Sequence, residues 1–317
     1  MSLTVDQTWI ERFHDQLHLT YQQMDSMLRS KLDPGMVHTN VGAVIDYHDR
    51  LGNVVANDVV VPGAQIVPLN PVHSIRAVVP QSSEGSVRVF DENSLRAMIN
   101  PMSGYMRTLA AAMQRRSDKH IIDALTGAAV IATVSGGVRT LGSQALPSAR
   151  WVTSIGGTSA LSLANVIGAH VKLSKSGVPV GSGRRTMLYT PGQETDILAI
   201  TQASSSDFTK NRIHDTGTVD GQTWEGFTWV SIADVIDTDG ETSLQRMVNL
   251  ISATSRRCVA FDNGCIGLSV GREIQSKIQD ISMNVQSFNA WQVRAAMMMA
   301  AVRVWEGGVA VLDVLEN

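Results

Sequence analysis

Residues 100–127 read NPMSGYMRTLAAAMQRRSDKHIIDALTG, and the predicted fold is built around this stretch. Its apolar residues recur at steps of three or four, which predicts one long helix with one buried side. Asn100 before Pro101 is typical of a helix start, and Gly127 is typical of a helix end. Such a helix is roughly 39 Å long, the length of a structural spine. The side predicted to be buried consists of Met102, Met106, Leu109, Met113, His120 or Ile121, and Leu125.

The first 34 residues are predicted to form an N-terminal arm built on an amphipathic helix. Charged residues lie opposite its apolar stripe, and Pro34 and Gly35 end the segment. The stripe has to pack either on this chain's own domain or on another molecule. It consists of Val5, Trp9, Phe13, Leu17, Tyr21, Met24 and Leu28.

Residues 35–90 are predicted to form an extended β-hairpin loop. Short β-rich runs at 41–47, 54–61, 75–79 and 86–90 alternate with turn signals, and four prolines lie between positions 62 and 80. Proline is tolerated mainly on strand edges and in irregular backbone. A loop of this length without a core of its own is functional or disordered. The β-branched content favours an ordered loop that lies on a neighbouring molecule.

The rest of the chain mixes both kinds of element, so the predicted fold class is α+β. Residues 130–157 read as a hairpin rich in Gly, Ser and Thr, and 159–176 as a second helix. An extended run follows at 184–189, and then a polar helix or loop at 194–210. The remainder is predicted to be β: a strand at 227–232, a hairpin at 257–270 around Asp262-Asn263-Gly264, and two strands within 291–314 about the turn 306–308.

The composition excludes some classes of protein. The 317 residues are 44% hydrophobic, and 26 basic residues meet 29 acidic ones for a net charge of −3. Strong nucleic-acid binding requires many uncompensated Lys and Arg, so any contact with DNA is expected to be local or weak. The first twenty residues lack a secretory pattern, and the longest uncharged stretch, 151–171, is too polar to span a bilayer. We therefore expect a cytoplasmic product without a membrane partner.

The two cysteines are expected to be reduced. In the predicted 257–270 hairpin, Cys258 and Cys265 lie on one face but several residues apart along the ladder. Their Cα atoms would then be further apart than the roughly 7 Å that a disulfide tolerates. A disulfide or a shared metal ion is therefore not expected.

His14 and His18 are the strongest candidates for catalysis. They lie at i and i+4, the spacing at which zinc proteases bind their metal, with Asp15 where those enzymes carry a glutamate. The shorter aspartate withdraws the carboxylate from the water it would activate, and no histidine cluster offers a clear third ligand. Solvated residues on a helix face are the simpler interpretation. The run 181–186 lacks the third glycine of a nucleotide-binding loop, and no G-x-S-x-G motif is present.

A basic sector is predicted on the spine helix. It consists of Arg107, Arg115, Arg116 and Lys119, with Asp118 and Asp123 as the opposing charges. One interpretation is a solvated or intersubunit face. The other is a surface that lines packaged nucleic acid, with weak and salt-sensitive contacts that read no sequence.

Many weak motifs, taken in order, resemble one family. They are His73-Ser74-Ile75-Arg76, the stretch 90–105, Ala110-Ala111-Ala112-Met113 with Asp118, 121–122 and 124–127, Ser206-Asp207-Phe208, Gly226-Phe227, 267–271 and 301–309. Together they cover nearly the whole chain and resemble the major capsid proteins of tailed bacteriophages with the HK97-type fold, in the branch called phage capsid protein.

The resemblance implies a division of the chain. Its parts are an N-terminal arm (1–34), an extended loop that overlaps an adjacent subunit (35–90), a peripheral domain with the spine helix and a hairpin (91–157), an axial domain (158–270) and return strands of the peripheral domain (271–317).

The resemblance also implies a mechanical function without enzyme activity, cofactor or metal. Subunits would assemble in the host bacterial cytoplasm, as pentamers and hexamers, into the icosahedral shell of a virion. Other expected partners are a portal, scaffolding or decoration proteins, and double-stranded DNA that is contacted without specificity. Some members join their subunits through a loop lysine, but no lysine lies between Lys31 and Lys119, so a non-covalent shell is expected. An encapsulin-like compartment shell and a metallohydrolase built on His14 and His18 are the alternatives.

Overall fold

A computed structural model describes most of the chain. The described residues are 25–58, 65, 68–90, 102–135, 138–155, 159–181, 183–200, 218–232, 255–281 and 290–315. The predicted N-terminal helix with His14 and His18, the helix start at Asn100, and residues 201–210 lie outside them. Within the described part, no helix is both long and apolar enough to cross a bilayer.

Three helices and thirteen strands make up the described residues, which confirms the α+β class. The helices are α1 (Met102–Thr126), α2 (Leu163–Lys175) and α3 (Pro191–Ala199). The strands are β1 (Val37–Thr39), β2 (Asp46–Leu51), β3 (His73–Val78), β4 (Gln81–Phe90), β5 (Ala129–Ser135), β6 (Val138–Gln144), β7 (Arg185–Tyr189), β8 (Thr223–Trp224), β9 (Phe227–Ser231), β10 (Ser255–Asp262), β11 (Ile266–Asp280), β12 (Ala290–Arg303) and β13 (Val309–Leu315).

The strands form three sheets. We name them the spine sheet (order β1-β11-β12-β4), the five-stranded sheet (β13-β10-β7-β9-β8) and the loop sheet (β2-β3-β5-β6). The spine helix α1 packs on the spine sheet, as the length and pattern of residues 100–127 predict. Its buried side places Met113, Ile121 and Leu125 in one core with residues of β11 and β12.

The five-stranded sheet is buried on both faces. Val309 and Val311 of β13 face the core that contains the spine helix, whereas Ala310 and Leu312 face a second core that contains α2 and α3. Successive residues of a strand point to opposite faces, so a strand covered on both sides has to be apolar throughout. This requirement explains the continuous apolar run of residues 309–312.

The hairpin predicted at 257–270 is wrong. The strands β10 and β11 flank a tight turn in which the Cys265 N–H donates to the Asp262 carbonyl over 2.9 Å, but they do not pair with each other. β10 pairs with β7 and β13, and β11 pairs with β1 and β12. The strands β12 and β13 likewise enter different sheets on either side of residues 306–308. In both cases the turn was predicted correctly, and the partners came from distant parts of the chain.

The correction separates the two cysteines. Cys258 lies in the core beside α2 and Cys265 in the core beside the spine helix, so the predicted common face does not exist. Both thiols are free and buried. Burial raises the pKa of both thiols well above the ordinary value. Neither is therefore a reactive nucleophile at neutral pH.

The loop region contains less strand than its composition predicts. Residues 41–45 and 54–58 are not in strands. β-branched side chains favour a strand only where a partner strand supplies a ladder of hydrogen bonds. The Val41 N–H donates to the Val270 carbonyl of β11 over 3.0 Å, but the ladder between β1 and β11 ends at Thr39. The hairpin itself is confirmed, because β2 and β3 pair antiparallel from Asp46 opposite Val78 to Leu51 opposite His73. The hairpin predicted within 130–157 is confirmed as β5 and β6.

The second helix begins later than its apolar spacing predicts. Ser162, not a residue near 159, caps it, and the Ser162 hydroxyl accepts the Asn165 N–H over 3.4 Å. The third helix starts at Pro191, and the Thr190 N–H before it donates to the Gln193 side-chain oxygen over 2.7 Å.

Candidate functional site at the base of the extended loop

The β2–β3 hairpin carries the extended loop away from the body of the subunit. The pairing closes where the Gly52 N–H donates to the Val72 carbonyl over 2.7 Å. Beyond this point, Val55 is 83% exposed, and Val54 and Leu69 are also exposed. These apolar side chains add little to this chain's own core. Exposed apolar residues that cluster on one projection mark an interaction surface.

A polar cluster joins the start of this hairpin to the spine sheet. Asp46 of β2 accepts a hydrogen bond from His38 Nδ1 of β1 over 2.8 Å and another from the Ser269 hydroxyl of β11. His48 Nε2 lies 3.0 Å from the same hydroxyl. The cluster therefore links three separate segments of the chain at the point where the loop begins.

The imidazole of His48 fits a space that only glycine leaves open. A Cβ at Gly267 would lie 2.6 Å from the His48 ring, closer than atoms can pack. On its other side the ring stacks on His38, with centroids 4.1 Å apart. Burial, followed by the charge on His38, lowers the pKa of His48 to about 4. Burial acts to raise the pKa of Asp46, but the hydrogen bonds from Ser269 and His38 outweigh it and lower that pKa. At neutral pH the His48 ring is neutral and Asp46 is ionised.

An ion pair fixes the second strand of the hairpin. The buried guanidinium of Arg76 on β3 donates to the Glu306 carboxylate and, over 2.8 Å, to the side chain of Gln144. Arg50 on β2 lies over the Trp305 ring, 4.8 Å from its centroid. Both hairpin strands are thus tied to residues 305–306, between β12 and β13.

The end of the spine helix is capped from a distance. The last carbonyls of a helix have no partner within it, and a buried cation can satisfy them. Arg303 Nη1 donates to the carbonyls of Ala124, Leu125 and Gly127 over 3.3, 3.0 and 2.6 Å. Its Nη2 donates to the Gln144 carbonyl over 3.3 Å. Burial lowers the pKa of this guanidinium.

Asp118 holds the end of the N-terminal arm on the spine helix. Its buried carboxylate accepts the Met27 N–H over 3.0 Å, the Leu28 N–H over 3.3 Å and the Ser26 hydroxyl over 2.5 Å. Leu28 then inserts into the core below. Residues 26–28 are therefore held on the spine helix.

Sequence reasoning missed these binding roles. Arg76, Arg303 and Asp118 all lie in motifs that carried the family resemblance. No role was assigned to Arg76 and Arg303, and Asp118 was named only as a charge that opposes the basic sector. A single charged residue inside an otherwise apolar segment could have indicated such a role. Arg303 is an example, because its neighbours within residues 301–304 are all apolar. A charge in such a place has to be paired when it is buried.

The basic sector of the spine helix does not form one accessible patch. Arg107 is exposed, Arg116 is half-buried and Lys119 pairs with Asp123 over 3.0 Å. Arg115 is buried, and burial lowers its pKa. At about 100° per residue, Arg107 lies about 180° from Arg116 and about 120° from Lys119 around the helix axis.

Residues 26–28 held by Asp118, the loop hairpin on its fixed base and the spine helix follow one another along the chain as the resemblance implies. A family model described as phage capsid protein matches residues 5–316. The chain belongs to the phage capsid protein family. No curated protein sequence gives a significant match to this capsid protein.

Solved structures share the fold of this capsid protein. The capsid of the cyanophage P-SCSP1u superposes with a TM-score of 0.69 at 12% identity, covering 100% of this chain and 96% of that one. The capsid of Ralstonia phage GP4 gives 0.67 at 12% identity, with 100% and 99% covered. A chain of Mycobacterium phage Che8 gives 0.66 at 15% identity, with 96% and 97% covered.

The HK97-type fold is thereby confirmed, and the protein is a major capsid protein of tailed phages. The role of this family is structural, its subunits associate with one another into a shell, and its place is the capsid of the virion. The encapsulin-like and metallohydrolase alternatives are not favoured.

Proposed function

We propose that the protein assembles as pentamers and hexamers into an icosahedral shell around double-stranded DNA. The observation that carries this proposal is the exposed apolar loop on a rigid base, because a projection that adds little to its own core has to be covered by another subunit. Each contact can be modest, since many symmetric interfaces add together.

The proposed division of labour follows the chain. Residues 1–34 act as the arm, 35–90 as the overlapping loop, 91–157 as the peripheral domain, 158–270 as the axial domain around the capsomer centres, and 271–317 as the return strands. In this scheme β13 belongs to the return strands by sequence but joins the sheet of the axial domain, since it pairs with β10.

The proposed partners are other copies of the chain, a portal, scaffolding or decoration proteins, and packaged DNA, with assembly in the host cytoplasm. Among the four basic residues of the spine helix, Arg107, Arg116 and Lys119 reach the surface and are proposed to contact DNA or a neighbouring subunit. Arg115 is buried and is therefore not proposed to contact DNA. With so few charges the contact with DNA is weak, which suits a container that has to release its contents.

Electron microscopy of the protein expressed alone, and with its neighbouring genes, tests the proposal. The expected products are closed shells, sheets or tubes built of pentamers and hexamers. A strictly monomeric species at high concentration, with every neighbouring gene supplied, would contradict it. Genes for a terminase and a portal nearby support a phage shell, whereas a cargo enzyme would point to an encapsulin-like compartment.

The shell is expected to be held without covalent links between subunits. The loop offers no lysine amine, because none lies between Lys31 and Lys119. Purified shells boiled in detergent should therefore run on a gel as one band at the subunit mass of 34.2 kDa. A ladder of subunit multiples would show this prediction to be wrong while leaving the assembly proposal intact.

A further inference from the structure

Three metal-binding side chains converge at the base of the extended loop. The ligand atoms of His38, Asp46 and His48 all lie within 4.8 Å of one another. Two imidazole nitrogens and one carboxylate oxygen are a donor set that zinc binds in proteins. We propose that these three side chains form a binding site for one zinc ion per subunit.

The distances between the donor atoms suit an ion of this size. His38 Nδ1 lies 2.8 Å from Asp46 Oδ2, and His48 Nε2 lies 3.6 Å from the same oxygen. Zinc bonds to nitrogen and oxygen are about 2.0–2.2 Å long, so ligand atoms around a tetrahedral ion are about 3.4 Å apart. The two distances bracket this value. The planes of the His38 and His48 rings are only 12° apart in the stack, so the partly exposed His38 ring has to turn out of it before both nitrogens can bind one ion.

The cluster is rigid on one side and open on the other. The His48 side chain is 2% exposed and is held between Gly267 and the His38 ring, whereas the His38 side chain is 40% exposed. The exposed edge gives an ion a path of entry and leaves a fourth position for water. The Ser269 hydroxyl, which donates to Asp46, orients the carboxylate from outside the ligand set.

A bound ion would connect β1, which pairs with β11 of the spine sheet, to β2 of the loop sheet. His38 lies on β1, beside Ser269 of β11, while Asp46 and His48 lie on β2, the strand that starts the loop hairpin. Zinc would fix the direction in which the loop leaves the spine sheet, in a chain whose loop carries no lysine for a covalent link. The binding of zinc is independent of the proposed assembly, whereas its effect on the loop rests on it.

Isothermal titration calorimetry of the purified full chain with zinc chloride tests the site. We expect one ion per chain, with an affinity at least about tenfold weaker in His38→Ala and in Asp46→Asn. Two controls should bind zinc as the unmodified chain does. His73→Ala removes an exposed histidine at the far end of the same hairpin. The double variant His14→Ala/His18→Ala removes the pair of histidines that has the i, i+4 spacing of a zinc-binding helix.

Absence of zinc binding in the unmodified chain would overturn the proposal, and so would affinity unchanged in both site variants. Loss of binding in the His14→Ala/His18→Ala variant would place the ion elsewhere and also overturn it. Circular dichroism checks that each variant folds, and the near-isosteric Asp46→Asn decides the matter if His38→Ala does not. Shells without zinc binding would refute only this inference, and zinc binding without shells only the proposed function.

Discussion

Deletion of residues 53–71 is expected to leave a folded subunit that no longer forms shells. The β2–β3 pairing ends at Gly52 and Val72, whose N–H and carbonyl are joined by a 2.7 Å hydrogen bond. An Asn-Gly pair inserted in place of the deleted residues can therefore close the shortened hairpin as a two-residue turn. Of the described residues between them, all but the half-buried Pro71 are exposed, so the deletion removes little core. Circular dichroism and urea unfolding should match the full chain, and electron microscopy should find no shells.

A matched pair of substitutions separates the apolar contact from the length of the loop. Val55→Asp places a charge on a side chain that is 83% exposed and apolar, whereas Asn53→Asp places the same charge on a polar residue nearby. We expect Val55→Asp to reduce the yield of shells strongly and Asn53→Asp to leave it nearly unchanged. Shells formed by the deletion variant would refute the overlap of the loop with a neighbour. Insoluble protein would instead mean that the loop belongs to the fold of the subunit.

Arg303→Ala is expected to lower the free energy of unfolding by about 3–5 kcal/mol. The guanidinium is fully buried and donates to three carbonyls at the end of the spine helix and to the Gln144 carbonyl. Its removal takes this donor away from the buried Leu125 carbonyl and from three part-buried carbonyls, and it leaves a cavity. Urea unfolding of unassembled subunits measures the effect.

Arg294→Ala is the matched control, since Arg294 lies on the same strand but at the surface. Its partner Glu84 is also exposed, and a pair of this kind contributes below about 1 kcal/mol. Arg303→Lys should fall between the two, because an ammonium group keeps the charge but cannot span all four carbonyls. An equal loss of stability in Arg303→Ala and Arg294→Ala would show that the helix end does not depend on Arg303.

The most regular elements could be predicted from local spacing. The spine helix ends at Thr126, directly before the predicted Gly127. This position requires glycine, because a Cβ there would lie 2.5 Å from the Asp123 carbonyl oxygen. The β5–β6 hairpin and the tight turn after Asp262 were likewise found from turn residues. These features depend on contacts within a few residues, and such contacts are visible in a single sequence.

The pairing of distant strands could not be predicted in the same way. β10 and β11 have the apolar alternation of a hairpin, but β10 finds β7 and β13, and β11 finds β1 and β12. Any apolar strand face satisfies the pattern, so the pattern does not choose between partners. The same degeneracy hid the contacts of Asp46 and His48 with Ser269, because Ser269 is more than two hundred residues away from both.

The sequence by itself determined the α+β class, the spine helix, the hairpin nature of the loop, the absence of a loop lysine and the family resemblance. Each of these follows from residue type and short-range spacing. The tertiary structure was needed to show which sheet each strand joins, that Arg115 is buried, that Arg303 caps the spine helix, and that Ser269 meets Asp46 and His48 where the loop begins. These features depend on segments far apart in the chain, and burial assigns their partners only when the whole core closes.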